Sequence, residues 1–241
     1  LDEHTLAEMA SMYEYASAED MKENLTAAYV LDYVLQTNGL EMDYQGSLSS
    51  GGGFYMSAIS GLDTSNIAIP EELYAKLEEN GYYPEEYVYE EGTLGEFDIT
   101  WGSGWMYAIN GVFPNVGFCD YIPQNGDVMR IQFTLAYGAD LGSTMVGGLW
   151  FETVNKENLT ALIAQALEVG VDVKNAQAVV STFGVTQTEL DSAYNALQPL
   201  VTEANFKKVK VNAKTSLESY VNASDYRTAE QEELATALAN G

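Results

Sequence analysis

Apolar residues in the first 38 positions recur at helical spacing. Leu6, Met9, Met12 and Tyr13 share one face, and Ser17-Ala-Glu-Asp20 has the form of a capping box opening a second helix. That helix is expected to carry Leu25, Tyr29, Val30, Tyr33 and Val34 as its stripe and to stop at Asn38-Gly39. A Gly/Ser loop over 46–55 then leads into a short strand over 54–59. Pro70 suits the first turn of a further helix, with Glu71 and Glu72 behind it, Leu73 and Leu77 inward, and Gly81 at its end. Residues 82–91 alternate aromatics with acid pairs, which predicts a solvated strand or flap with half-buried tyrosines.

The densest β pattern comes next. Residues 105–109 run into Asn110-Gly111, a two-residue hairpin turn, and Asn125-Gly126-Asp127 feeds a strand of strict alternation. There Met129, Ile131, Phe133 and Leu135 point one way, and Val128, Arg130, Gln132 and Thr134 the other. The pattern predicts one sheet with one face covered by the helix at 20–38. After Trp150 the period returns to helix. Asn155 is placed to cap a helix bearing Leu159, Leu162, Ile163, Ala166 and Leu167, which Gly170 ends. A shorter helix over 176–183 ends at Gly184. Thr186-Gln-Thr-Glu189 fits a capping box before the stripe Leu190, Ala193, Tyr194, Leu197 and Val201. Short loops between these helices predict a three-helix bundle. Lys207, Lys208, Lys210 and Lys214 read as a basic linker, and 215–240 as the start of another helical pair.

Charge divides the chain at the same place. The 241 residues hold 36 acidic and 10 basic side chains, a net charge of −26. Residues 1–150 contain 24 of the acids and only Lys22, Lys76 and Arg130 as cations. Two composition zones imply two modules that join near 147–150. The excess of acid argues against nucleic acid and anionic membranes as partners. No apolar run reaches the roughly 18 residues of a membrane span. A single cysteine, Cys119, excludes an internal disulfide or a Cys-cluster metal site, and His4 is the only imidazole. The chain opens at Leu1 without a Met or a signal-type apolar segment, so it is expected to be part of a longer protein.

The stretches Asp98-Ile-Thr-Trp-Gly-Ser-Gly-Trp-Met-Tyr-Ala-Ile-Asn-Gly111, Phe113-Pro-Asn-Val-Gly117, Asn125-Gly-Asp127 and Tyr137-Gly-Ala-Asp-Leu-Gly142 resemble a bacterial domain family. That family is related to the C-terminal domain of transcobalamin and intrinsic factor. The resemblance is specific over 98–142 and weaker over 20–62. It implies a β-grasp-like fold for 1–150, with added N-terminal helices and an acidic insertion at 63–97. Asn155-Lys-Glu-Asn-Leu-Thr-Ala-Leu-Ile163 and Thr186-Gln-Thr-Glu-Leu-Asp-Ser-Ala-Tyr-Asn-Ala-Leu197 are similar to FIVAR repeats, three-helix spacers of Gram-positive cell-surface proteins. This implies a three-helix module over 151–204, with the linker and further helices over 205–241. The expected fold class is thus α+β followed by an all-α module. Together the resemblances imply an extracellular or wall-anchored setting with neighbouring domains in the same chain.

Aromatic residues supply the binding candidates. Trp101, Trp105 and Tyr107 are suited to stack on a sugar or a corrin ring, and Tyr82, Tyr83 and Tyr87 extend the same chemistry. The alternative is packing, with Gly102 and Gly104 letting the backbone turn while the indoles are buried. Asp127, beside Gly126, is expected to bond turn amides. The acid pairs Glu71/Glu72, Glu78/Glu79, Glu85/Glu86 and Glu90/Glu91 supply two carboxylates, as a glycosidase needs. Adjacent residues of an extended segment point to opposite faces, however, which argues against that reading. Calcium has oxygen ligands in plenty but no loop of the right pattern, Asp63-Thr-Ser-Asn66 being the nearest fragment. Cys119 has no histidine base nearby in sequence and reads as a half-buried small apolar residue. Gly51-Gly-Gly53 lacks the Lys of a phosphate loop. The sequence therefore points to a non-catalytic binding or spacing module that needs no cofactor and recognises a host glycan or protein. A small corrinoid-like ligand is the alternative, and a calcium-binding module ranks below both.

Overall fold

The computed structural model describes residues 1–84, 90–143, 149–220, 230–233 and 235–236. The chain divides into two compact units, Leu1–Thr153 and Val154–Gly241. Its class is α+β.

The first unit opens with three helices, α1 (Glu3–Met12), α2 (Ala18–Glu23) and α3 (Ala27–Thr37). The capping box opens α2 as expected, the Asp20 amide donating to Ser17 Oγ at 3.1 Å. The long second helix is, however, two. The Asn24 side chain donates to the Asp20 carbonyl and closes α2, and Thr26 then caps α3. Thr26 is itself buried; its hydroxyl accepts from the Tyr29 amide and donates to the Leu48 carbonyl at 2.6 Å. One residue thus starts a helix and pins the Gly/Ser loop.

β1 (Glu41–Gln45), β2 (Tyr55–Ser60) and β3 (Thr93–Gly95) form an antiparallel sheet in chain order. β4 (Gly104–Ile109) and β5 (Met129–Thr134) form a second, two-stranded sheet. The single sheet expected from the alternation is therefore two. The Asn110-Gly111 turn is present, with φ of +50° and +79°, and Ile109 and Val112 exchange both backbone hydrogen bonds across it. The chain leaves after that one pair, and β4 takes β5 as its partner. Helix α4 (Glu71–Glu79) lies between β2 and β3 in the chain, with Pro70 at its N-cap and Leu73 and Leu77 buried.

Two apolar cores result. The first joins Leu6, Met9, Met21, Leu31 and Leu35 of the helices to Ile59, Tyr107, Ile109 and Phe118, so α3 and β4 share one core. The second joins Leu73, Leu77 and Tyr82 to Ile99, Leu135 and Ala136. β5 serves both. Met129 and Ile131 pack on the first, while Phe133 and, just past the strand, Leu135 belong to the second. Cys119 is buried in the first core, deeper than the half-buried position expected.

The second unit comprises α5 (Glu157–Glu168), α6 (Lys174–Ser181) and α7 (Gln187–Tyr220) around a core of Leu159, Leu162, Val185, Leu190, Leu197 and Val201. Asn155 precedes the cap position, which Lys156 holds, and its side chain accepts from the Glu157 amide. The predicted capping box is reciprocal. The Glu189 amide donates to Thr186 Oγ1, and the Thr186 amide donates to Glu189 Oε2 at 2.8 Å. Replacing Thr186 with Ala is expected to lower stability by about 1 kcal/mol, visible as an earlier urea midpoint. The lysines at 207–214 lie on α7 and not in a linker. No glycine or proline interrupts the chain between 200 and 220, and Lys207 pairs with Glu203 one turn back.

Candidate functional site

The motif around the tryptophans folds into a tightly bonded turn. Thr100 is fully buried; its hydroxyl donates to the Leu135 carbonyl and accepts from the Gly102 amide. Ser103 Oγ accepts from the Ile99 amide and donates to the Thr100 carbonyl. Two further bonds leave the turn for the chain on either side. The Phe97 amide donates to the Ser103 carbonyl, and the Tyr137 amide donates to the Gly102 carbonyl at 2.8 Å. Phe97 and Tyr137 both adopt left-handed backbone, with φ of +65° and +49°. Bulky aromatic residues enter that region only where the surroundings hold them.

Tyr137 is held from three sides. Besides its amide bond, its hydroxyl donates to the Trp101 carbonyl at 3.1 Å, and its ring meets Trp101 edge-on at 5.4 Å. Trp101 lies flat on Tyr82, centroids 4.5 Å apart and planes within 4°, while its indole N–H donates to the Gly81 carbonyl. Gly102 is needed for close approach and not for turning, since no left-handed φ is required there. A Cβ at Gly102 would come within 2.5 Å of Tyr82 and 3.0 Å of Tyr137. Replacing Gly102 with Ala is expected to cost about 1–3 kcal/mol by overpacking and to shift tryptophan emission, read by denaturation followed at that wavelength.

Beside this stack opens a cavity of about 240 Å³. Tyr55 and Met56 of β2, Glu96, Trp105 and Met106 of β4, and Tyr137 supply most of its wall. It thus draws on both sheets. Burial, and then the Glu96 carboxylate, push the Tyr55 hydroxyl up to about 12. The hydroxyls of Ser103 and Thr134, also in the wall, are committed to the Thr100 carbonyl and to Asp140. What the cavity presents is therefore aromatic face, thioether and one carboxylate.

The sequence-derived candidates separate into groups. Trp105 lines the cavity, its ring edge-on to Phe133 and its indole N–H on the Leu94 carbonyl at 2.8 Å. Trp101 is 44% exposed and flanks the cavity through Tyr137. Tyr82 is buried as the base under Trp101, and Tyr83 is exposed away from the cavity wall. Tyr107 belongs to the first core; its hydroxyl donates to the Val116 carbonyl at 2.6 Å and its ring packs on Phe118. A ligand cannot stack there. Tyr87 lies outside the described residues. Tyr55, Glu96 and Tyr137 complete the site without having been singled out from sequence. The Tyr137-Gly138 pair was the available signal, since it closes the motif.

Elsewhere, a broader groove of about 950 Å³ runs between α1–α2 and the 123–127 turn, with Leu6, Lys22, Leu25 and Met129 among its lining. Asp127 accepts from the Gln124 amide, the Asn110 side chain and the Tyr121 hydroxyl, so it organises that turn as expected. Asp63 likewise accepts from Ser65. Among the described residues, no group of three or more His, Cys, Asp or Glu side chains is placed to hold a metal ion. No described helix is long and apolar enough to cross a membrane.

Residues 69–135 match the family model described as Domain of unknown function (DUF4430), a transcobalamin-like family. The matched stretch runs from α4 to β5 and takes in 69–97 of the acidic segment together with Trp101, Trp105 and Glu96. Tyr55 and Tyr137, which close the cavity, lie on either side of it. No curated protein and no solved structure matches the chain.

Proposed function

We propose that this chain is a non-catalytic binding module of a larger bacterial surface protein, and that the cavity between the two sheets is where it holds its ligand. The observation behind the proposal is Tyr137, a bulky residue in left-handed backbone, fixed by three contacts at the cavity wall. Backbone strain of this kind costs about 1–3 kcal/mol and collects at ligand clamps. The setting we favour is extracellular, with the second unit a FIVAR-like spacer and a host glycan or protein as the molecule recognised. A net charge of −26 suits a solvated surface protein and argues against nucleic acid.

Retention of the full chain on glycan and mucin-protein arrays tests this. Tyr55→Ala and Tyr137→Ala are expected to abolish retention, whereas Tyr83→Ala, remote from the cavity wall, is expected to keep it. Retention that survives both cavity substitutions would remove the cavity from the proposal. The corrinoid alternative needs more room, since pockets for drug-sized ligands start near 300 Å³. The 950 Å³ groove between α1–α2 and the 123–127 turn offers that, and the cavity between the sheets does not. Cobinamide is expected to leave the melting temperature unchanged, and a rise would favour the corrinoid reading.

A further inference from the structure

We infer that the cavity between the sheets takes a small organic cation, a trimethylammonium group, caged by Tyr55, Trp105 and Tyr137 and balanced by Glu96. The inference rests on the reading of this cavity as the ligand site and adds the chemical class of the ligand. The wall chemistry selects that class. Cations sit over the faces of Trp and Tyr because the ring quadrupole is negative there, and quaternary ammonium groups are recognised in aromatic cages of this composition. Met56 and Met106 add polarisable thioether contacts suited to methyl groups. A cation in the cavity meets the Glu96 carboxylate, which the Tyr55 hydroxyl holds at the wall.

Charge points the same way. No cation lines the cavity. The three cations of the first unit are engaged elsewhere: Lys22 with Glu19, Lys76 with Glu79, and Arg130 with Gln132. Glu96 is in none of the ion pairs found among the described residues. The acidic excess of residues 1–150 also raises the local concentration of any cation that approaches. Size agrees as well. At about 30 Å³ per water the cavity holds roughly eight waters, enough for a trimethylammonium head.

Such a group reaches the protein as a free cation or as a phosphocholine headgroup, and one experiment separates the sources. The full chain is titrated calorimetrically with choline chloride, with its neutral isostere 3,3-dimethylbutan-1-ol, and with phosphatidylcholine vesicles. Choline is expected to bind roughly tenfold more tightly than the neutral isostere, the difference being the cation–π and carboxylate contribution. Glu96→Gln and Tyr55→Leu, both at exposed positions, are expected to weaken choline roughly tenfold each without moving the melting temperature. Vesicle binding displaced by choline makes the lipid headgroup the source, and choline binding without vesicle binding makes it the free cation. Both support the inference. Absent choline binding, or equal affinity for the isostere, overturns it. If array retention still depends on Tyr55 and Tyr137 in that case, only the ligand class falls. If it does not, the cavity falls as the ligand site too.

Discussion

Trp105→Ala is expected to destabilise the protein by about 3–5 kcal/mol, the largest loss from any single truncation proposed here. The side chain packs against the helix-covered core through the same strand face as Tyr107 and Ile109. On its other flank it meets Phe133, which belongs to the second core. Its removal therefore opens a void where the two cores approach and leaves the Leu94 carbonyl without the indole donor. Gly111→Val, at a φ of +79°, should add turn strain at the far end of the same strand. Urea denaturation followed by circular dichroism measures both. A loss under about 1 kcal/mol for Trp105→Ala, the range of surface changes, would mean that the indole serves the cavity and not the fold. Because Trp105 does line the cavity, choline affinity has to be read at Glu96 and Tyr55 instead.

The elements that the sequence made legible are those whose apolar pattern is periodic and whose ends carry local chemistry. The Ser17 and Thr186 capping boxes, the Asn110-Gly111 turn and the alternation over 129–135 all need only neighbours within a few residues. What it concealed depends on partners far along the chain. β1 reads as Glu-Met-Asp-Tyr-Gln, an acidic, largely exposed edge strand that discourages pairing with other chains, and its alternation of Met42 and Tyr44 is too short a run to stand out. The break before Thr26 is decided by a bond to Leu48, and the split into two sheets by β4 choosing β5 after a single hairpin pair. The site behaves alike. Trp101, Trp105, Tyr82 and Tyr83 stand out because aromatics cluster around glycine, yet sequence alone did not say that Gly102 exists to admit the Tyr82 and Tyr137 rings. Tyr55, the first residue of β2, and Glu96, just past β3, reach the cavity from positions that look ordinary in the chain.

Acidification below neutral pH is expected to raise the melting temperature, and Asp140→Asn to remove the part of that rise that comes as pH falls through the raised Asp140 value towards the ordinary carboxylate one. Asp140 is buried between the end of β5 and the turn that follows it, accepting from the Thr134 hydroxyl and from the Leu135 amide at 2.8 Å. Burial raises its pKa above the usual carboxylate value, and the hydrogen bonds only partly offset this. A group whose folded pKa is raised adds stability that is complete below its unfolded value and is lost as pH rises through its folded one. At neutral pH the charged form is thus a burden, which protonation relieves. The surplus of acid over base in residues 1–150 acts in the same direction, because each proton taken up lessens self-repulsion. Added NaCl should imitate that second effect by screening and leave Asp140 largely untouched. The reverse trend begins lower. Asp127 is held below the ordinary carboxylate value by hydrogen bonds from Gln124, Tyr121 and Asn110 that outweigh its desolvation, so its contribution is lost only as pH falls through that depressed value. At pH 7, Asp140→Asn is expected to cost about 1–3 kcal/mol, since an amide cannot accept from both donors in their present places. Melting curves for wild type and Asp140→Asn at steps from pH 7 to pH 4, each at low and high salt, separate the two contributions. A wild-type melting temperature that falls steadily from pH 7 to pH 5 would show that favourable pairing of the acids outweighs both.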